Sequence, residues 1–220
     1  MHRILTAELL GEGARALKRR DRDLAKILGR LGVPPMWGRR PGFATLVQII
    51  LEQQVSIVAA RTLYRRIRGT LGGMTARKVH ARGEAGLRKL GLTRQKARFC
   101  HGLASRVLDG RLDLATVARL PDDEGRAILM SVPGLGPWSI DIYYLMALKR
   151  PDVWPRGDLA LASAIRDVRR MSAMPTREDQ HAIAARWSPW RSVAARLLWA
   201  HYLDARGQYN PQAGRQSRAD

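Results

Sequence analysis

Apolar residues recur along the chain at helical spacing, and the breaks between apolar stretches carry the glycine, proline and capping residues that end and begin helices. Strict alternation of apolar and polar positions, which is typical of a half-buried strand, is almost absent. The segment from Phe43 to Leu51 is strongly apolar and predicts a buried helix, whereas residues 34–42 contain enough proline and glycine to predict an irregular loop. The pattern therefore predicts an all-α protein with short connections.

Capping residues and helix stops divide the rest of the chain into further helices. Asp21, Ser56 and Thr93 each precede a helical stretch and are residues that cap helix N-termini. Proline and acidic residues at 121–123 mark another start, and Pro137 takes the first position of the helix that follows. The predicted helices begin near residues 22, 43, 57, 76, 84, 94, 121, 137, 158, 176 and 189.

The charge of the chain points to a polyanionic partner. Lysine and arginine total 39 against 19 acidic residues among 220, which gives a formal net charge of +20 at pH 7. Such an excess repels itself unless a polyanion is present, so nucleic acid is the expected partner. The alternative is an arginine-rich composition that reflects only a coding sequence rich in G and C.

The cysteine content and the hydropathy of the chain exclude several classes of protein. Cys100, the single cysteine, cannot form an internal disulfide, a cysteine-ligated iron–sulfur cluster or a zinc knuckle, and the five histidines show no metal-ligand spacing. No apolar run is long enough to cross a bilayer, and the N-terminus lacks the apolar segment of a signal peptide. We therefore expect no metal held by side chains, no membrane partner, and a cytoplasmic protein associated with the nucleoid.

A glycine hairpin with the sequence Val-Pro-Gly-Leu-Gly-Pro-Trp occupies residues 132–138, between two predicted helices. Gly134 and Gly136 permit backbone angles closed to other residues and place no side chain in the way of a phosphate. The N–H groups of such a turn, together with the positive end of the following helix, can bind a DNA backbone without reading its sequence, and Leu135 would pack inward. Gly134, Leu135 and Gly136 are thus the predicted DNA-binding hairpin; the alternative is an ordinary turn.

Asp158 follows about one helix later, at the start of another predicted helix, in the segment Trp-Pro-Arg-Gly-Asp at 154–158. A carboxylate there could act on the sugar beside a phosphate held by the hairpin. The combination suggests chemistry on a nucleotide. The alternative role of Asp158 is that of a helix N-cap, and the two roles are compatible.

Several separate segments occur in the order found in one known family. They are Ile-Leu-Glu-Gln-Gln-Val-Ser at 50–56, Gly-Leu-Thr followed by Lys-Ala at 91–97, the hairpin with its aspartate, and Arg-Trp-Ser-Pro-Trp-Arg-Ser at 186–192. With Trp199 further along, they resemble the helix–hairpin–helix DNA glycosylase superfamily, in particular its alkylpurine branch of the 3-methyladenine DNA glycosylase II type. The resemblance covers residues from about 40 to 203.

The resemblance implies two helical lobes with a cleft between them that receives a base swung out of the duplex. We expect a glycosylase domain over residues 1–205, with one lobe formed by 1–55 and 150–205 and the other by about 56–149, and a disordered tail over 206–220. The extra N-terminal β-rich domain of some alkylpurine enzymes is not expected, because the residues that precede the match are few and look helical.

The resemblance also implies chemical roles. Asp158 matches the catalytic aspartate, which would stabilise positive charge on the deoxyribose as the N-glycosidic bond breaks and could orient or deprotonate the attacking water. Trp138 stands where bifunctional relatives carry a nucleophilic lysine, so strand cleavage through a Schiff base is not expected. Trp138 and Trp199 match positions that line the base pocket, where an indole stacks on a cationic purine; the alternative places them in the core, as we expect for Trp187 and Trp190.

Residues of the first matching segment are expected at the DNA. Gln54 falls where relatives carry the side chain that fills the gap left by the extruded base, Gln53 is its neighbour, and Ser56 could contact DNA or cap the next helix. Neither Asp141 nor Asp152 matches the catalytic position. A monovalent cation could bridge hairpin carbonyls and a phosphate, and no other cofactor is implied.

The sequence thus predicts a monofunctional DNA glycosylase of base excision repair, acting as a monomer on double-stranded DNA with damaged bases. Its expected substrates are alkylated purines such as 3-methyladenine and 7-methylguanine. Trp37, in the proline-rich loop, could approach the base pocket, and the sequence does not place it. Two alternatives stay open: a glycosylase for deaminated or oxidised bases, and a non-enzymatic DNA-binding module that uses the hairpin alone.

Overall fold

The computed structural model describes residues 3–212, in which twelve α-helices and no β-strand occur, so the predicted all-α class is confirmed. No helix in these residues is both long and apolar enough to span a membrane. The helices are α1 (Ala7–Arg20), α2 (Arg22–Leu31), α3 (Phe43–Glu52), α4 (Ile57–Leu71), α5 (Ala76–Lys89), α6 (Arg94–Leu108), α7 (Leu114–Arg119), α8 (Asp122–Met130), α9 (Pro137–Met146), α10 (Leu159–Arg169), α11 (Arg177–Ala185) and α12 (Arg191–Asp204).

The described residues divide into two compact units. The first unit contains the chain up to Arg39 and from Tyr144 onward, and the second contains Arg40–Tyr143, so one boundary falls within α9. The predicted lobe that contains the N-terminus includes residues 40–55, whereas these residues belong to the second unit of the structure. The reason is that α3 packs against α4 and α6, which fixes this apolar helix in the second unit.

Helix α12 is the centre of the core of the first unit. Every residue from Ser192 to Leu198 is buried, and the helix contacts α1, α2, α10 and α11. A helix enclosed on all sides needs apolar or small side chains around most of its circumference, and between Ser192 and Leu198 only Arg196 departs from this pattern. Trp187 and Trp190, which precede the helix, are also buried, so the expectation that they are core residues is confirmed.

A buried arginine on α12 anchors the proline-rich loop. The guanidinium of Arg196 donates to the carbonyl oxygens of Ser192 (3.0 Å), Trp37 (3.1 Å) and Leu145 (3.1 Å). Complete burial lowers the pKa of Arg196 to about 10. The Trp37 ring meets the Tyr209 ring edge-on, with the centroids 6.4 Å apart. Trp37 therefore has a structural position in the first unit.

The segment after α12 makes defined contacts as far as residue 212. The N–H of Gln208 donates to the Leu203 carbonyl (2.8 Å), and the N–H of Gln212 donates to Asn210 Oδ1 (2.8 Å). The expected disorder over 206–220 is therefore wrong for residues 206–212. The reason is that the Tyr209 ring packs against an aromatic ring of the first unit. Residues 213–220 lie outside the described part of the chain.

The second unit is organised around α3 and α6. Helix α3 buries its apolar run against α4 and α6, and α5 lies alongside α6. Gly83 interrupts α5 with a left-handed φ of 67°, at the point where the sequence predicts a break between two short helices. Helices α1 and α7 are not among the predicted helices, and the last helix begins at Arg191 instead of the predicted Pro189.

Asp21 connects three parts of the first unit. Its Oδ1 accepts from the N–H groups of Asp23 (3.0 Å) and Leu24 (3.2 Å), which caps α2 as predicted. Its Oδ2 accepts from the indole N–H of Trp187 (2.8 Å) and from the Arg169 guanidinium. Burial alone would raise the pKa of this carboxyl, but the Trp187 hydrogen bond, the capped N–H groups and the Arg169 charge together hold it below its ordinary value.

Replacing Asp21 with asparagine should destabilise the protein by about 2 kcal/mol at neutral pH. The substitution removes the buried carboxylate that pairs with Arg169 and accepts charge-assisted hydrogen bonds. Since the pKa is lowered in the folded state, this stabilisation is complete above the pKa of the unfolded chain, about 3.9, and is lost as the pH falls through the lower folded value. Thermal unfolding should show a gap between wild type and Asp21→Asn that narrows below about pH 4.

The control is Glu12→Gln, which removes the same charge from an exposed pair with Arg3 at 3.7 Å and should change Tm little at any pH. A gap of constant size from neutral to acid pH would contradict the role assigned to the Asp21 carboxylate.

Candidate functional site

The glycine hairpin connects α8 to α9 within the second unit. The N–H of Leu135 donates to the Val132 carbonyl (3.1 Å), which closes the turn, and the Leu135 side chain is buried as predicted. The Gly136 carbonyl accepts the first hydrogen bond of α9, from the N–H of Ile140 (3.0 Å), so Gly136 takes the N-cap position. The first N–H groups of any α-helix lack intrahelical acceptors, and this end of α9 therefore suits an anion.

The two glycines of the hairpin serve different purposes. Gly134 has a left-handed φ of 92°, and a Cβ built there would lie 2.4 Å from Cγ of Phe99. Gly136 does not have a left-handed φ, and a Cβ built there would meet nothing within 4 Å. The expectation that both glycines need special backbone angles is therefore wrong for Gly136. Its missing side chain leaves open space beside the first turn of α9.

Hydrogen bonds from Gln53, the residue that follows α3, support the hairpin. Both amide N–H groups of Gln53 are used, since Nε2 donates to the Gly134 carbonyl (2.8 Å) and to Ser139 Oγ (2.9 Å). Gln53 was predicted as a DNA-binding residue, but its described contacts make it a positioning residue for the hairpin. This positioning role of Gln53 was not predicted, although Gln53 lies in the family segment at 50–56.

Lys96 in turn fixes the end of α3. Its Nζ donates to the carbonyl oxygens of Leu51 (2.7 Å) and Gln53 (2.8 Å), which lie where a helix leaves its last carbonyls without intrahelical partners. Burial lowers the pKa of Lys96. Lys96 belongs to the family segment at 91–97, but its spacing in the sequence could not reveal its contact with the end of α3.

The turn between α3 and α4 exposes an apolar surface around Gln54. Gln54 is exposed and has a left-handed φ of 57°. Ser56 caps α4, with Oγ accepting from the N–H of Ala59 (3.2 Å). The adjacent exposed apolar side chains, which the sequence analysis did not single out, belong to Val55, Ile57 and Val58.

Asp158 is the buried acid at the start of α10, in the first unit, with an exposed fraction of 7%. Its Oδ1 accepts from the N–H of Leu161 (2.9 Å), so the residue is an N-cap, and from the indole N–H of Trp199 on α12 (3.3 Å). The positive end of α10 stabilises the negative charge. The structure thus brings together two of the predicted site residues, Asp158 and Trp199.

The two tryptophans predicted to line a base pocket are both partly accessible. Trp138 is the second residue of α9 in the second unit, and Trp199 lies in the first unit. Their intermediate exposure distinguishes both from the fully buried Trp187 and Trp190.

The other acids near the predicted motifs have structural partners. Asp141 is buried and pairs with Arg126 of α8. Asp152 accepts from Arg191 Nε (2.7 Å) and Nη2 (2.9 Å) and from Ser188 Oγ (2.9 Å). Burial would raise the pKa of Asp152, but the hydrogen bonds from Arg191 and Ser188 and the Arg191 charge lower it. Both acids therefore support the fold.

The donor groups of the hairpin fit the monovalent cation that the family resemblance implies. No cluster of three His, Cys, Asp or Glu side chains within residues 3–212 could hold a metal ion. The Val132 carbonyl accepts one hydrogen bond, from Leu135, and the Gly134 carbonyl accepts one from Gln53. Because a carbonyl oxygen has two lone pairs, these hydrogen bonds leave the oxygens able to bind a cation.

Comparison with known families matches residues 47–190 to the HhH-GPD superfamily of base excision DNA repair proteins. The match spans more than half of the chain and includes the hairpin, the Gln53 turn and Asp158. The chain belongs to this family. The resemblance to this superfamily stated from the sequence is confirmed.

Individual HhH-GPD relatives agree with this assignment. A Mycobacterium tuberculosis protein, named a probable bifunctional transcriptional activator/DNA repair enzyme AlkA, is 32% identical over 87% of this chain and 42% of its own length. DNA-3-methyladenine glycosylase 2 of Escherichia coli is 29% identical over 78% of this chain and 63% of its own length. The chain thus spans about half the length of the curated relatives that it matches.

A solved structure shares the fold of this HhH-GPD chain. The 3-methyladenine DNA glycosylase Mag1 of Schizosaccharomyces pombe, in complex with abasic DNA, superposes with a TM-score of 0.75 at 21% identity, over 86% of this chain and 95% of its own.

The two hairpin glycines should respond differently to the same substitution. Gly134→Ser should destabilise the protein by about 2–4 kcal/mol, because its Cβ adds left-handed strain and a clash with Phe99. Gly136→Ser should change stability by less than about 0.5 kcal/mol, because serine is favoured at an N-cap and its Cβ enters open space. Chemical denaturation measures both, and equal losses would contradict the distinction.

Proposed function

We propose that the protein is a monofunctional DNA glycosylase that removes alkylated purines, such as 3-methyladenine and 7-methylguanine, in base excision repair. The observation that carries the proposal is the buried Asp158 carboxylate, which the N–H groups of Leu161 and Trp199 hold in a fixed orientation. Membership of the HhH-GPD family supports it, and so do the names of the relatives.

The proposed reaction is hydrolysis of the N-glycosidic bond. As the bond between C1′ and the purine nitrogen breaks, its electron pair leaves with the base and positive charge develops on the deoxyribose. The Asp158 carboxylate stabilises this charge, and the oxygen of a water molecule bonds to C1′ while its proton passes to the carboxylate or to solvent. A purine methylated at N3 or N7 already carries a positive charge and leaves as a neutral base, so one carboxylate suffices.

The tryptophans are proposed to select cationic bases. An electron-rich indole attracts a cation over its face, and this attraction needs few specific hydrogen bonds. The hydrogen bond from Trp199 Nε1 to Asp158 fixes the orientation of the Trp199 ring. Trp138 carries no amine, so it cannot form the Schiff base through which a lysine cleaves the strand. The product is therefore an intact strand with an abasic site.

The hairpin is proposed to bind the phosphate backbone of duplex DNA. Gly136 keeps the first turn of α9 accessible to a phosphate, and Gln53 and Lys96 keep the hairpin in place. A monovalent cation, when bound at the Val132 carbonyl, would offset the phosphate charge. The turn at Gln54, with its exposed apolar neighbours, is proposed to fill the gap that a swung-out base leaves in the duplex.

Base release from two DNA substrates tests the proposal. Wild type should release methylpurines from methylated duplex DNA and no uracil from uracil-containing duplex DNA, and Asp158→Asn should release little of either. The matched control is Asp113→Asn, which alters an exposed aspartate that also caps a helix, through the N–H of Ala115, and should leave release unchanged. Chromatography of the freed bases measures the outcome.

Other results would favour the alternatives. Release of uracil alone would indicate a glycosylase for another lesion, and DNA binding without release by either protein would indicate a binding module. Borohydride should trap no covalent adduct between wild type and methylated DNA, and a trapped adduct would contradict the monofunctional mechanism.

A further inference from the structure

A cavity of about 290 Å³ lies against α6 beside the hairpin. We call this cavity the α6 groove. It is lined by Arg98, Phe99, Gly102, Arg106 and Pro133. All of them belong to the second unit. Asp158 and Trp199 belong to the first unit and do not line the groove.

The groove is continuous with the glycine hairpin. Pro133 is part of the hairpin and also lines the groove. Phe99 contributes to the groove and packs so closely against Gly134 that no Cβ could fit between them. Because Phe99 fixes α6 against the turn, a strand held at the hairpin has the α6 groove as its neighbour.

The arginines of the groove are spaced along one face of α6. Arg98, Gly102 and Arg106 follow each other at intervals of four residues, which places them one helical turn apart. The two arginines are separated by about 12 Å along the axis, at 1.5 Å per residue. One DNA strand carries a phosphate every ~3.4 Å of duplex axis, so the two arginines are far enough apart to contact different phosphates.

The charges of the groove are available to an anion. Arg98 lies with its guanidinium carbon 5.7 Å from the centre of the Phe99 ring, and in residues 3–212 neither Arg98 nor Arg106 forms an ion pair with a carboxylate. Asp109, the acid that follows α6, is bound by Arg111 through Nε (2.8 Å). The pKa of Asp109 is lowered mainly by its hydrogen bond with Arg111, and the Arg106 charge adds to this effect.

Gly102 is not required by the fold. It lies inside α6 without a left-handed φ, and a Cβ built there would meet nothing within 4 Å. Glycine destabilises a helix relative to alanine, so its presence between two arginines has no local benefit. The missing side chain keeps the floor of the groove open between the two charges.

We propose that the α6 groove binds the sugar–phosphate backbone of the DNA strand held by the hairpin, with Arg98 and Arg106 on separate phosphates and Gly102 leaving room for the backbone between them. The inference rests on the proposed binding of DNA, and it extends that binding beyond the hairpin. It requires no base contact, so the groove contributes affinity without sequence preference.

The salt dependence of binding to an undamaged DNA duplex tests the inference in the full chain. Arg98→Gln with Arg106→Gln should lower the slope of log Kd against log salt by about 2, since each lost phosphate contact lowers it by about 0.9. The control, Arg77→Gln with Arg88→Gln, removes the same charge from exposed positions of α5 outside the groove and should lower the slope by less than about 0.5. Equal slopes for the two double variants would overturn the inference.

A second pair of variants tests the open floor. Gly102→Leu should weaken duplex binding at least about fivefold, because the leucine side chain would fill the groove. It should not lower Tm, because leucine has a higher helix propensity than glycine. Gly69→Leu is the control, since a Cβ at this exposed glycine of α4 would also meet nothing within 4 Å, and its affinity should not change. An unchanged affinity of Gly102→Leu would contradict the proposed occupant.

The two levels of failure are distinguishable. If wild type binds no duplex and releases no base, the proposed function itself fails. If wild type binds DNA and releases methylpurines while the groove variants match their controls, only the groove assignment fails.

Discussion

Hydrogen bonds that hold the Asp158 carboxylate at the start of α10 are the interaction on which the proposed chemistry depends. A group that must meet a short-lived cation is effective only if it is oriented before the reaction, because reorganisation during bond cleavage would cost much of the electrostatic gain. Leu161 provides one donor from the helix that Asp158 caps, and Trp199 provides the other from α12. The packing of α10 against α12 therefore fixes both donors.

The hairpin is fixed in a similar way but by different means. Phe99 occupies the space where a side chain at residue 134 would lie, and the Gln53 amide holds the carbonyl of that residue. Lys96 holds the end of α3 that carries Gln53. A turn with no side chain at its own glycines is thus kept rigid by residues from α3 and α6. This rigidity is what backbone recognition of a phosphate needs.

Local features of the fold could be predicted from the sequence, and long-range ones could not. Capping by Asp21, Ser56 and Asp158 follows from residue types beside a helical pattern, and the inward position of Leu135 follows from its place between two glycines. That the fold tolerates a side chain at Gly136 depends on the absence of neighbouring atoms, which no sequence pattern records.

The roles of Gln53 and of the segment around α3 illustrate the same limit. Gln53 lies 81 positions from its acceptor at residue 134, so its hydrogen-bond partner could not be predicted from the sequence. The family segment indicated only that Gln53 is important. The lobe boundary differed from the expectation because the partners of α3 come from α4 and α6. The polar residues around Tyr209 predict disorder, and the sequence gives no sign of its aromatic contact with Trp37.

The central claim is that the Asp158 charge acts on the reaction and not on the binding of DNA, and comparing rate with affinity in Asp158→Asn tests it most directly. Asparagine can still accept the hydrogen bonds of Leu161 and Trp199, and it removes the negative charge. The single-turnover rate of methylpurine release should fall by about 10³-fold, while Kd for the same methylated duplex changes by less than about threefold. An undiminished rate, or a loss of rate explained entirely by weaker binding, would contradict the account.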